Sequence, residues 1–495
     1  MSDLPPTGRR TLRALRTRLA AALRARPSVS LAIGGSVAAS VAVTAGGRIG
    51  TVKAVIPITN WLGLLSHNGF AMGDAVPGAL MLTGIVVLIW LWLLALRLSR
   101  PGRGCSERAV WGIAGAWSLP FVLGPPLLSN DVYSYAAQGL MIRHGFDPYA
   151  YGPSVLGNVA AVAGVDPNWR NTPSPYGTVA TTIEHLAVAI SGGSPVGAVV
   201  VFRALAVVSV VAIGLLAAEL AGARRVPALT LTILNPLVLL QIVSAAHFEG
   251  VMCALLLGAL VAAGQRRWLL AIVLSCASTE VKVPALVAVL AIIAAHALGA
   301  PRSAALKIAA RDSAAAALSL AGLSLILPDG LGWIGSLNTP ALGHTGFAPA
   351  SLLADLYAPI VRAASFDDLA AGGRITALVA AACAVGYLTV TADRRAVSQT
   401  AGFGLLAVGL LSPVLYPWYL LWAIVCLAPT ARAARADWLI LASALACVLT
   451  PPGFTRTVTI SLTIAAIGVA TLVMGRRVLG RRNRPAPAAD LSAAG

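Results

Sequence analysis

Runs of about 15–25 apolar residues, divided by short polar stretches, recur along most of this chain. They lack the alternation of apolar and polar positions that marks a membrane barrel, so the pattern predicts helices. A helix needs about 20 apolar residues to cross a bilayer. It is also the open structure whose backbone satisfies its own hydrogen bonds there. Segments of this kind lie at 28–46, 78–98, 109–127, 196–221, 227–244, 248–264, 269–279, 284–299, 313–328, 374–391, 400–415, 417–430, 438–450 and 456–474. The expected fold class is an all-α polytopic membrane protein with about 12–14 transmembrane helices. The lipid bilayer is its first partner.

Composition agrees with the pattern. Hydrophobic residues make up 58% of the 495 and charged residues 11%, against about 25% charged in a soluble domain. Mean hydropathy is +0.83. The net charge of +18 raises the question of nucleic acid, but its distribution answers it: 27 of the 36 Lys and Arg fall in short basic segments such as "RLSRPGRGCSER", "GARR", "GQRR" and "ADRR". That is the pattern of cytoplasmic loops under the positive-inside rule, with no nucleic-acid partner implied. Residues 1–27 read as a basic cytoplasmic segment, 28–474 as the transmembrane domain, and 475–495 as a disordered cytoplasmic tail. The six cysteines show no CxxC or Cys/His spacing, so neither a disulfide framework nor a zinc site is expected, and with no P-loop or HExxH no cofactor is expected either.

With the basic segments inside, three long stretches fall outside, at about 47–77, 128–195 and 329–373. The stretch from Trp268 to Leu298 has basic loops on both sides, so it must enter and return. Its 31 residues are too few for two spans of about 20. A short helical hairpin is expected, with "STEVKVP" at its turn. Glu280 and Lys282 there are either a structural ion pair or a functional site, since charge at such depth is costly. Nine Lys and Arg remain for the outer side, and four of them, Arg203, Lys282, Arg374 and Arg456, sit at helix ends. Such residues either snorkel or hold an anionic headgroup, and Lys282, Arg203 and Arg374 are candidates for a donor phosphate.

The outer stretch "PLLSNDVYSYAAQGLMIRHGFDPYAYGP", 126–153, follows the third span and places Asp131 at the membrane surface. A helix from about Asp131 is expected, capped by Ser129 or Asn130. A carboxylate there, basic residues slightly deeper, and loops rich in Trp, Tyr, Asn and His suit a sugar carried on a lipid phosphate. The cation would hold the phosphate and stabilise the leaving group. Asp131 would take the proton of the acceptor hydroxyl as that oxygen attacks C1. Aromatic and polar side chains would hold the sugars: Tyr133, Tyr135 and Gln138 beside Asp131, Tyr176 in "TPSPYGT", His247 and Glu249 in "SAAHFEGVM", and Tyr416, Trp418 and Tyr419 in "SPVLYPWYLLW". An interfacial aromatic belt is the other reading of the tyrosines and tryptophan. "EHL", with Glu184 and His185, has no metal partner at helical spacing.

In their order, "SNDVYSYAAQG…GFDPYAYGP", "TPSPYGT", "LNPLVL…AHFEGVM", "VKVPAL" and "SPVLYPWYLLWA" resemble the actinobacterial polyprenol-phosphomannose-dependent α-1,6-mannosyltransferases, the A and B enzymes of lipomannan synthesis. The likeness runs from about residue 109 to 425. It implies a GT-C glycosyltransferase fold at the plasma membrane with its active site facing the periplasm. It implies polyprenyl (decaprenyl) phosphate mannose as donor, and a phosphatidylinositol-mannoside or lipomannan acceptor for the lipoarabinomannan backbone of the cell envelope. It further implies Asp131 as the essential acid, with Lys282 and the Tyr416–Tyr419 element in the family's positions. Phe248 stands where the family usually carries a polar residue. A transporter or flippase for a lipid-linked sugar, and a transferase of another linkage such as arabinan, are the competing readings.

Overall fold

The computed structural model describes residues 27–49, 75–100, 105–342, 348–349 and 366–448. The basic segment before residue 27, most of the 47–77 stretch, part of 329–373, the expected span 456–474 and the C-terminal tail lie outside the described residues, as do Lys53, Arg362 and Arg456. The described chain is all-helical, with no strand among the described residues.

Helix α1 (Pro27–Gly46) packs on α2 (Ala75–Leu98) and α3 (Glu107–Leu123). The contact is close because Gly35 has no side chain: a Cβ there would lie 2.0 Å from the Trp117 ring. The indole of Trp117 in turn donates to the carbonyl of Leu31 at 2.8 Å. Chain entry into α3 is fixed by Ser106, whose hydroxyl accepts from the amide of Ala109. The stretch 128–195 folds mainly as α4 (Asp131–Arg143) and α5 (Thr178–Ile190), packed on each other. Helix α6 (Pro195–Ala221) begins at a Ser194 cap with Pro195 in its first turn. It runs through a 3₁₀ turn into α7 (Arg225–Leu231).

Among the described residues, four helices are long and apolar enough to cross a membrane: Pro27–Gly46, Val76–Leu98, Pro195–Thr232 and Ala371–Val390. A fifth candidate is a broken pair, Pro236–Ser244 with Glu249–Gly264, bent by 117°. Most of the other expected segments are present but shorter or interrupted. The segment expected at 227–244 is not one helix, because it breaks at Asn235 and continues as a π-helical turn, Leu239–Ser244. The hairpin is as short as its length required: α9 (Trp268–Thr279) and α10 (Leu286–Leu298), following α8 (Glu249–Gly264). Helix α11 (Arg302–Ser324) starts within "APRSAALKIAARD", another of the short basic segments, rather than at the expected 313. Its run of Ala, Leu, Lys and Arg consists of strong helix formers, which explains the difference. The remaining elements are α12 (Phe366–Val390), α13 (Val397–Leu410), α14 (Tyr419–Leu427) and α15 (Ala433–Val448). On α12 Ile375, Leu378 and Val379 are exposed, as suits a helix facing lipid.

Three basic segments meet at one end of the bundle. Arg225 pairs with Glu107 at 3.1 Å, and Arg224 donates to the carbonyl of Ala431. Helix α3 leads from that end, at Glu107, to the opposite end, where the chain turns into α4.

Candidate active site

At that opposite end the backbone is strained on both sides of the polar cluster. Leu128 (φ 66°) and Ala246 (φ 56°) occupy the left-handed region, at about 1–2 kcal/mol for a residue with a Cβ. Leu128 swings the chain into Ser129, Asn130 and Asp131, the start of α4. The Ser129 hydroxyl accepts from the amide of Asp131 at 3.1 Å, whereas the Asn130 side chain makes no cap. The N-cap position, Asn130, is thus left without a side-chain cap, and Ser129 instead holds the first helical amide. Asp131 is half-buried. Burial pushes its carboxyl up to about 6, the nearby Lys282 opposes this, and Glu249 adds to it.

Ala246 marks the bend of the broken pair. It turns His247 and Glu249 into the protein, where both are buried. Oε1 of Glu249 lies 2.5 Å from Nζ of Lys282. Its Oε2 is 3.7 Å from Nδ1 of His247. Neither that oxygen nor either His247 ring nitrogen has a hydrogen-bond partner among the described residues. The Lys282 ammonium also sits over the rings of Tyr176 (5.2 Å) and Tyr419 (6.0 Å), a cation–π arrangement. Tyr135 stacks on Phe248 at 4.2 Å and meets Tyr176 edge-on. Tyr416 stacks on Trp418 at 4.4 Å, and His247 meets the Trp418 ring edge-on at 4.3 Å. Residues from five sequence motifs, spread over nearly 300 positions, thus form one cluster. Phe248 has a clear part in it as the centre of the ring contacts among Tyr135, Tyr176 and Phe202.

Glu280 does not pair with Lys282, although they are two residues apart. Its carboxylate accepts from the amide of Thr178 at 2.9 Å and from the hydroxyl of Ser324 at 2.8 Å. Trp333 donates to the same Ser324, and the Thr178 hydroxyl donates to the carbonyl of Gly330. The hairpin turn therefore sends one charge to the aromatic cluster and uses the other to bind the "TPSPYGT" loop and the 324–333 segment. Gly177 permits this approach, since a Cβ there would lie 2.4 Å from the Glu280 carbonyl oxygen. Gly177→Ala is expected to displace the loop carrying Tyr176 and cut turnover by about 10²-fold. Rates of the purified variant in detergent check this, and a wild-type rate would refute it.

Other expected site residues are placed differently. The Arg203 guanidinium donates to the carbonyls of Val122 (3.1 Å), Ser244 (2.6 Å) and Gly124. It ties the end of α3 to the π-helical turn, and it acts on Tyr133 rather than on Asp131. Arg203→Ala leaves those buried carbonyls unsatisfied and is expected to lower the melting temperature by about 5 °C or more. The donor KM of the surviving protein should stay unchanged; a raised KM at unchanged stability would return Arg203 to the phosphate. Gln138 is buried and accepts from Ser174 at 3.1 Å, so it supports the same loop as Gly177. Arg374 lies half-buried early in α12. Glu184 is buried on α5 with both carboxylate oxygens unpartnered among the described residues, and burial pushes its carboxyl well up. Asp166, which adds to the field on Asp131, was not singled out by the sequence. Neither were Ser324, Trp333 and Phe202, because nothing local distinguishes them from other loop or span residues.

Fold and site together define a class: an all-α, multi-pass membrane protein in which an acid, a buried lysine and stacked aromatic rings gather at one end of the bundle. The chain belongs to the alpha-(1->6)-mannopyranosyltransferase family. Residues 32–298 match the family described as "Alpha-(1->6)-mannopyranosyltransferase, N-terminal domain". Residues 368–479 match the "MptB C-terminal domain". The chain is similar to alpha-(1->6)-mannopyranosyltransferase A of Mycobacterium tuberculosis, with 28% identity over 81% of this chain and 80% of the relative. A second alpha-(1->6)-mannopyranosyltransferase of that organism is 30% identical over 70% of this chain and 69% of its own length. Alpha-(1->6)-mannopyranosyltransferase B of Corynebacterium glutamicum is 31% identical over 70% of this chain and 64% of its own length. No solved structure matches the chain.

Proposed function

We propose that this protein transfers mannose from polyprenyl phosphate mannose to a lipid-linked α-1,6-mannan acceptor, with inversion, at the periplasmic face of the plasma membrane. The observation that carries this reading is the half-buried Asp131 in the field of a buried Lys282, among rings from three other motifs. Lys282 would hold the donor phosphate. The acceptor oxygen would attack C1 as the C1–O bond to phosphate breaks. The bonding pair leaves on the phosphate oxygen, and Asp131 takes the acceptor proton. Glu249, the carboxylate that acts most strongly on Asp131 among the described residues, is already engaged with Lys282 rather than free as a nucleophile, which favours single displacement. The Tyr416–Trp418 stack and His247 offer flat faces and polar edges for sugar rings. Because Arg203 is committed to backbone carbonyls, it is left out of the phosphate-binding set.

The test supplies purified protein with polyprenyl phosphate carrying labelled mannose and a short α-1,6-mannoside. Labelled product with a new α-1,6 bond supports the proposal. No transfer from such a donor, but movement of that lipid across liposome membranes, would favour the transport reading. Transfer in another linkage would move the acceptor assignment.

A further inference from the structure

The charge balance around Lys282 is unusual for a site that takes a phosphate. Lys282 is already matched by Glu249 at 2.5 Å, with that carboxylate fully buried. The charged groups that act on Asp131 among the described residues are Lys282, Glu249 and Asp166, one cation and two further acids. Arg203, the nearby alternative cation, spends its guanidinium on backbone carbonyls. Among the described residues that act on Asp131, an arriving phosphate therefore meets one lysine already paired with Glu249 and, beside it, Asp131 and Asp166.

Substrate and product differ in the property to which such a site responds. A lipid phosphate bearing a sugar is a diester with a single negative charge. The lipid phosphate left after transfer is a monoester, with about −1.5 to −2 charge at pH 7. Like charges in a site screened from water repel strongly.

We propose that Glu249 is a specificity-determining residue: by keeping Lys282 in a neutral pair, it makes the site favour a phosphodiester donor and disfavour the phosphomonoester product. This rests on the lipid-phosphate donor proposed above. Lys282 can still point a hydrogen bond at the departing oxygen, but the completed monoester is a poor ligand and leaves. Glu249 thereby limits product inhibition rather than touching sugar.

The test begins with the wild-type protein in detergent and three lipids of one short polyprenyl chain: the phosphate mannose ester, the phosphate methyl ester and the free phosphate. At pH 8 the methyl ester, which carries the diester charge without the sugar, is expected to bind about tenfold more tightly than the free phosphate. Equal or tighter binding of the free phosphate overturns the proposal, and it needs no variant to do so. Glu249→Gln should then tighten the free phosphate relative to the methyl ester by about the same factor and sharpen product inhibition. If Glu249 merely held the fold together, its loss would weaken all three lipids alike, and that result also overturns the proposal. Wild-type protein that binds none of the three defeats the donor reading itself. Binding of all three without preference defeats only the role of Glu249.

Discussion

The Asp131→Asn variant is expected to lose mannosyl transfer by about 10³-fold while remaining folded, which is the usual worth of a general base. The substitution keeps the shape of the side chain and the Ser129 hydroxyl contact to the amide of residue 131, so α4 should start as before. It removes the carboxylate proposed to accept the acceptor proton. The wild-type pH profile provides an independent check. Burial raises the Asp131 carboxyl to about 6, and the base must be ionised to act. The rate should therefore rise with pH through about 6 and level off above it. The stability effect has the opposite sense. A carboxyl raised on folding favours the folded state below its unfolded pKa, and that contribution is lost as pH rises through about 6. At pH 7.5 the ionised Asp131 is thus a burden on the fold, and the D131N variant should melt no lower than wild type. Transfer by the variant at the wild-type rate would remove Asp131 from the chemistry. A lower melting temperature together with lost activity would make its role structural.

Lys282→Ala has a second large effect, with two separable parts. It strips Glu249 of its ion-pair partner in a fully buried position, and breaking such a pair by removing one side costs about 3–5 kcal/mol. It also removes the cation that would hold the donor phosphate. The melting temperature and the activity should both fall. The double variant Lys282→Met with Glu249→Leu distinguishes the two parts, since replacing both members of a buried pair with apolar groups is often neutral or stabilising. The double variant is expected to recover most of the lost melting temperature and none of the transfer. Recovery of transfer along with stability would show that the pair serves the fold alone. The Tyr176 and Tyr419 rings over which the ammonium sits would be expected to close on the Met side chain.

Much of this site was legible in one dimension. Asp131 stands out because it is an acid placed just past an apolar run, and the short interval from Trp268 to Leu298 forced a hairpin with Lys282 at its turn. What was not legible was which way each charge points. Glu280 and Lys282 are two residues apart and of opposite sign, and sequence alone allowed them to pair. In the structure Glu280 turns to Thr178 and Ser324, while Lys282 turns to Glu249, 33 positions back in the chain. Arg203 and Lys282 looked alike as basic residues at helix ends. Only packing showed that one meets a ring of carbonyls and the other a carboxylate and two aromatic faces.

The chain by itself determined its solvent, its class and the end of the bundle where the polar and aromatic side chains gather. Those follow from hydropathy, helix length and the clustering of Arg and Lys, which are local or additive properties. Tertiary structure decided partnership: Glu249 with Lys282, Phe248 beneath Tyr135, Gly177 against the Glu280 backbone, and Arg203 as a clamp. These contacts join residues tens to more than a hundred positions apart. Their energies depend on distance and burial, which no periodicity in the sequence encodes.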